Sequence, residues 1–121
     1  EPWLAMTEEH PTIHAADQVG RHDSVFEFYR GMIRFRQQGS CRECLIYGNL
    51  EPVDSSPEVI AYRRYTKEET IYCWFHLGDE KVPEPLPEGA LEPVWSSFGE
   101  AEIQDGSLIL KPYQSVMLRK L

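Results

Sequence analysis

The sequence predicts a mainly β protein, an antiparallel Greek-key β-sandwich preceded by one amphipathic α-helix. Three observations carry this expectation. Residues 23–39 repeat their apolar side chains with a helical period, residues from Leu45 onward repeat theirs with a period of two, and Gly and Pro divide that second part into short runs. One helix followed by about six to eight short strands fits two packed sheets better than a parallel α/β fold.

Residues 1–22, EPWLAMTEEHPTIHAADQVGRH, hold two prolines and no sustained period, and are expected to be irregular. Trp3, Leu4, Met6 and Ile13 are nevertheless apolar enough to require a surface to rest on. Residues 23–39 carry the helix. Ser24 and Glu27 have capping-box spacing, and Phe26, Tyr29 and Ile33, joined by Val25 and Met32, recur on one helical face. Gly31 weakens the middle by about 1 kcal/mol relative to Ala, and Gly39 supplies the stop. Phe28 and Phe35 widen the apolar surface beyond one stripe, so the helix is expected to be covered on more than one side.

Residues 40–121 are read as the sandwich. CLIYGNLEPV contains an early strand, and EVIAYRRYTKEETIYCWFHL reads as a hairpin turning near Lys67–Glu69. In its second arm Ile71, Cys73, Phe75 and Leu77 alternate with Thr70, Tyr72, Trp74 and His76, a half-buried pattern. GDEKVPEPLPEGA is rich in proline, which restricts it to an edge strand or a loop. PVWSSF, SLIL and SVMLRKL follow as further strands.

Composition limits the function classes. The chain has 121 residues, 20 acids against 12 bases and a formal charge of −8. Nucleic acid and anionic membrane surfaces are therefore not expected partners, because phosphate contacts need clustered Lys and Arg. No apolar stretch approaches the roughly 18 residues of a membrane span. Three cysteines, an odd number, suit a reducing cytoplasm better than a disulfide framework. The first residue is Glu rather than Met, which leads us to expect a processed chain or a piece of a longer one.

The order of these segments resembles the C-terminal end of glycoside hydrolase family 13 enzymes, the α-amylase superfamily, in its α-glucosidase and oligo-1,6-glucosidase branch. EPWL looks like the Pro-Trp that opens the last long loop of the catalytic barrel. DSVFEFYRGMIRFRQQ looks like the final barrel helix, and IYGNLEPV like the strand opening the small β-domain. EVIAYRRYTKEETIYCWFHLGDEKVPEPLPEG resembles the hairpin and the strand after it, and LILKPYQSVMLRKL the closing strands. The chain departs from the pattern at AMTEEHPTIH, where Asn-Pro-Asn-Tyr is common, and at FHLG, where an Asn-Phe-Ser-like run is usual.

The resemblance implies a non-catalytic domain whose partner is the (β/α)8 barrel of the same parent chain. In that family the nucleophile, the acid/base and a stabilising Asp all precede the segment matched here. Glu8, Glu9, Asp17, Asp23 and Glu27 fit none of its catalytic motifs, so this polypeptide is not expected to hydrolyse glycosides. The resemblance also implies that Trp3 lies near the active-site mouth of the intact enzyme. A helix deprived of its cover should pack on the sandwich or against a second copy, so a homodimer of the isolated piece is expected.

Two other readings stay open. Exposed aromatics could make this a carbohydrate-binding module, with Trp74 and Tyr72, on one face of the second hairpin arm, and Trp3 as sugar-contact candidates. Against that, strands are rich in Tyr and Trp because these pack well on a pleated surface, and packing is the favoured reading. Cys41-Arg-Glu-Cys44 could be half of a zinc site or a redox pair. Cys73 and His76 lie on opposite faces of a strand and make awkward co-ligands, so two thiols in the loop entering the β-domain are favoured. No metal or other cofactor is implied.

Overall fold

A computed structural model describes residues 3–121; Pro2 of the Pro-Trp pair lies outside the described residues. The chain divides into two compact units, Glu1–Arg42 and Glu43–Leu121.

In the first unit the segment expected to be irregular contains two single-turn helices, α1 (His10–Ile13) and α2 (Ala15–Gln18). The main helix, α3, runs Val25–Gln38. Ser24 caps it as the S-x-x-E spacing requires: its Oγ accepts from the Glu27 N–H at 3.2 Å and donates to the carbonyl oxygens of Gln18 and Arg21. Glu27 turns back to accept from the Gly20 N–H at 2.8 Å rather than from the cap's own N–H. The preceding loop is thereby tied to the first turn of the helix. At the far end the Gly39 N–H donates to the Phe35 carbonyl.

The second unit opens with a helix that the sequence reading did not contain. Cys44 to Tyr47, expected to begin a strand, belong to α4 (Arg42–Tyr47), and the strand starts only at Asn49. The apolar run is too short for period alone to separate helix from strand. Tertiary contacts decide it. The Arg64 guanidinium donates to the carbonyl oxygen of Gly48 at 2.7 Å and the Cys44 thiol to that of Glu69, which ties the end of α4 to the second strand and the hairpin turn.

Eight strands follow, all paired antiparallel: β1 (Asn49–Pro52), β2 (Val59–Tyr65), β3 (Thr70–His76), β4 (Val82–Pro85), β5 (Leu91–Ser96), β6 (Glu102–Gln104), β7 (Ser107–Leu110) and β8 (Ser115–Lys120). They form a five-stranded sheet in the order β1-β2-β3-β8-β5 and a three-stranded sheet in the order β4-β7-β6. The β2–β3 hairpin turns at residues 66–69, where the Thr66 hydroxyl accepts from the N–H groups of Glu68 and Glu69. The prolines of β4 sit on an edge strand, where a missing N–H leaves no gap in the ladder. Asp105 and Gly106, both at positive φ, make the two-residue β6–β7 turn, whose twist matches that of the flanking strands.

The core lies between the sheets. Val59, Ala61, Tyr72, Trp74, Val116 and Leu118 from the larger sheet meet Leu108 and Leu110 from the smaller one. β3 departs from the half-buried alternation expected for it, because Ile71 and Cys73 on its other face are buried as well. A central strand covered on both sides loses the contrast on which an alternation argument depends.

Candidate interaction surface

α3 places apolar side chains on more than one side, but buries none of them fully. Phe26, Met32 and Phe35 are half-buried, whereas Val25, Tyr29 and Ile33 lie along an exposed stripe, with Tyr29 62% exposed. These three residues line a shallow groove of about 510 Å³ with Phe26, Arg30 and Arg34. Arg30 pairs with Glu27 at 3.0 Å and lies over the Phe26 ring at 4.8 Å. Trp3, Leu4, Met6, Ile13 and Val19 add further exposed apolar surface to the same unit. Among its described residues only Ser24 and Cys41 are buried. The first unit thus has an apolar surface without a core of its own, the pattern that marks an interaction face.

The candidate sugar-contact residues do not come together. Trp74 is 1% exposed and Tyr72 7%, and their rings stack 5.9 Å apart within the sandwich core. Neither offers a face to a ligand, which corrects the expectation for both. The physical reason is that β3 pairs with β2 and β8 in the middle of its sheet and turns these rings toward the smaller sheet. Trp3 is 91% exposed in the other unit.

Several carboxylates hold structural positions. Glu27 serves the α3 cap, Glu51 binds Arg63, Glu92 and Glu69 flank Arg119, and the fully buried Glu84 accepts from the Ser56 N–H at 3.1 Å. The bond to Glu51 raises the Arg63 guanidinium above its ordinary value. Cys41, Cys44 and Cys73 are buried and not joined in disulfides. Cys41 lies in the turn just before α4, as expected of a loop thiol, whereas Cys44 lies inside the helix. No group of three or more His, Cys, Asp or Glu side chains placed to hold a metal occurs among the described residues. No helix among them is long and apolar enough to cross a membrane.

Sequence reasoning missed the polar hub of the second unit, Gln114. Its side chain is fully buried; Oε1 accepts from the Lys111 N–H at 3.1 Å, and Nε2 donates to Ser96 Oγ, the Phe98 carbonyl and the Glu100 carbonyl. His76, also buried, contacts the Lys111 carbonyl through Nδ1 at 2.8 Å. The available signal was KPYQ, a turn-forming stretch followed by an amide immediately before a strand.

The described elements define a class, a mainly β domain of two antiparallel sheets preceded by an amphipathic helix. In sequence and fold the chain is similar to a part of α-glucosidases and other glycoside hydrolase family 13 enzymes, consistent with a C-terminal fragment of such an enzyme. It is 28% identical over 118 residues to a probable α-glucosidase of Rhizobium meliloti (strain 1021), covering 98% of this chain and 21% of that protein. It is 21% identical over 127 residues to an oligo-1,6-glucosidase of Bacillus cereus, covering 98% and 22%. The solved trehalulose synthase MutB of Pseudomonas mesoacidophila MX-45 superposes with a TM-score of 0.82 and 30% identity, over 98% of this chain and 22% of that one. The chain thus spans about a fifth of the length of these relatives. No family model matches it.

Proposed function

We propose that this chain is the non-catalytic C-terminal domain of an α-glucosidase-like enzyme acting on short α-glucosides, and that it stabilises the catalytic barrel of its parent. The observation that carries this reading is the exposed Val25, Tyr29 and Ile33 stripe on a helix well capped at Ser24. A helix with that much uncovered apolar surface is marginal alone and gains its stability from a partner. The relatives, about five times as long, leave ample chain to supply one. Retaining glycosidases need two carboxyl groups about 5–5.5 Å apart, one as nucleophile and one as acid/base. Glu27, Glu51, Glu69 and Glu92 are instead engaged in the α3 cap and in ion pairs, and Glu84 accepts from a backbone N–H.

The reading is tested by expressing the remainder of the parent polypeptide with and without this chain, and assaying isomaltose and p-nitrophenyl α-glucoside. Activity is expected only when both pieces are present, and none from this chain alone. Turnover by this chain alone, or a barrel equally soluble and active without it, would overturn the proposal.

A further inference from the structure

β3 ends at His76, where backbone hydrogen bonds fasten the end of the strand to its neighbours. The His76 N–H donates to the Gln114 carbonyl at 3.0 Å, the Leu77 N–H to that of Glu58 at 2.8 Å, and the Tyr113 N–H to that of Gly78 at 3.2 Å. The His76 side chain is buried here, 2% exposed, with Nδ1 held 2.8 Å from the Lys111 carbonyl oxygen. A carbonyl oxygen only accepts, so Nδ1 carries the ring proton and Nε2 of the neutral imidazole keeps its lone pair. Nε2 itself meets no partner among the described residues.

Glu58 brings a second electron-pair donor to the same place. A Cβ built on Gly78 would stand 2.8 Å from His76 Nε2 and 2.3 Å from Glu58 Oε2, so both atoms border one gap that the missing side chain leaves open. They lie within about 5 Å of each other, and the ligand atoms around a tetrahedral zinc stand roughly 3.4 Å apart. Rotation of the Glu58 side chain, which is exposed, closes the difference. A lone pair and a carboxylate facing one gap have no hydrogen to share, and a cation satisfies both. Asp79 and Glu80 follow Gly78 directly in a chain of formal charge −8, so the local field favours positive charge. Fixing one imidazole nitrogen on a backbone carbonyl while the other stays open is also the way metal-binding histidines are oriented. One imidazole nitrogen with one carboxylate oxygen suits zinc, whereas calcium and magnesium take shells of oxygen.

We propose that His76 Nε2 and Glu58 form a site for a divalent transition-metal cation of the zinc type, with water in the remaining positions. The site does not depend on the stabilising role argued above. His76 belongs to FHLG, a stretch in which this chain departs from the α-glucosidase pattern. Two protein ligands hold the ion reversibly, and the chain folds without it. The test is a titration of the 121-residue chain, purified without added metal, with zinc chloride, followed in amide spectra and in long-range proton–nitrogen spectra of the histidine rings. Before zinc is added, His76 should show the Nδ1-protonated tautomer. Zinc should then shift its Nε2 signal and the amides of residues 58, 76–80 and 111–114 saturably, and a chelator should reverse the change. Glu58→Gln, at an exposed position, should weaken binding roughly tenfold or more while leaving the metal-free spectrum otherwise unchanged. Gly78→Ala should weaken it as well, because the added methyl group fills the gap while both ligands remain. No zinc effect at His76, shifts confined to residues 41–44 or to His10 and His14, whose rings lie 5.7 Å apart, an equal response to magnesium, or undiminished binding by a folded Glu58→Gln variant would each overturn the proposal.

Discussion

The Tyr72 and Trp74 rings lie 24° from parallel, stacked inside the sandwich on one face of β3. Two residues apart on a strand, they form a same-face pair, and the smaller sheet closes over them through Leu108 and Leu110. Rings that read as a binding platform in the sequence are therefore the centre of the core.

Trp74→Ala should accordingly destabilise the second unit by about 3–5 kcal/mol, the range for removing a large buried aromatic. Urea denaturation followed by far-UV circular dichroism gives the check. A loss below about 1 kcal/mol would show that the ring is not a core element.

Gln114→Ala removes the donor that serves three acceptors and the acceptor for the Lys111 N–H. Stranding buried polar groups costs about 1–3 kcal/mol each when water cannot replace the lost partner. The expected outcome is a midpoint shift in denaturant together with faster amide exchange in residues 96–100 and 111–115. Protection that stays native in those two segments would refute the hub role.

Ser24→Ala should cost the first unit about 1 kcal/mol, while Ser24→Asp should largely retain the cap. Helicity of α3, read from NMR carbon shifts of Val25 to Arg30, should fall in the first variant and recover in the second.

The exposed stripe of α3 should make the isolated chain associate as concentration rises. Tyr29→Lys with Ile33→Lys should return it to a monomer in sedimentation velocity without lowering the stability of the second unit, since both side chains are more than half exposed. A wild-type chain that stays monomeric across the concentration series would contradict this.

The three buried thiols should react slowly with a disulfide reagent in the native state and together on unfolding. Rapid native modification of Cys41 or Cys44, or a stability that falls on chelation, would revive the zinc or thiol reading of the C-x-x-C pair.

By itself the sequence determined the main helix, the strand-rich character of the second part and several element ends. Ser24 and Glu27 locate the start of α3, Gly39 its stop, and the prolines of β4 confine that strand to an edge, because each of these rests on a local hydrogen bond or a fixed backbone angle. The order of segments was enough to recognise the family resemblance. What only the tertiary structure decided is which faces are covered. Cys44 to Tyr47 turn helical in a setting supplied by Arg64 and Glu69, residues far along the chain. β8, the last strand in sequence, lies between β3 and β5 rather than at an edge. Tyr72 and Trp74 are buried, whereas Trp95 lines a groove beside a loop held by Gln114. A period of two separates the faces of a strand but does not say which of them meets another sheet. That depends on pairings between residues dozens of positions apart, and burial follows from those pairings.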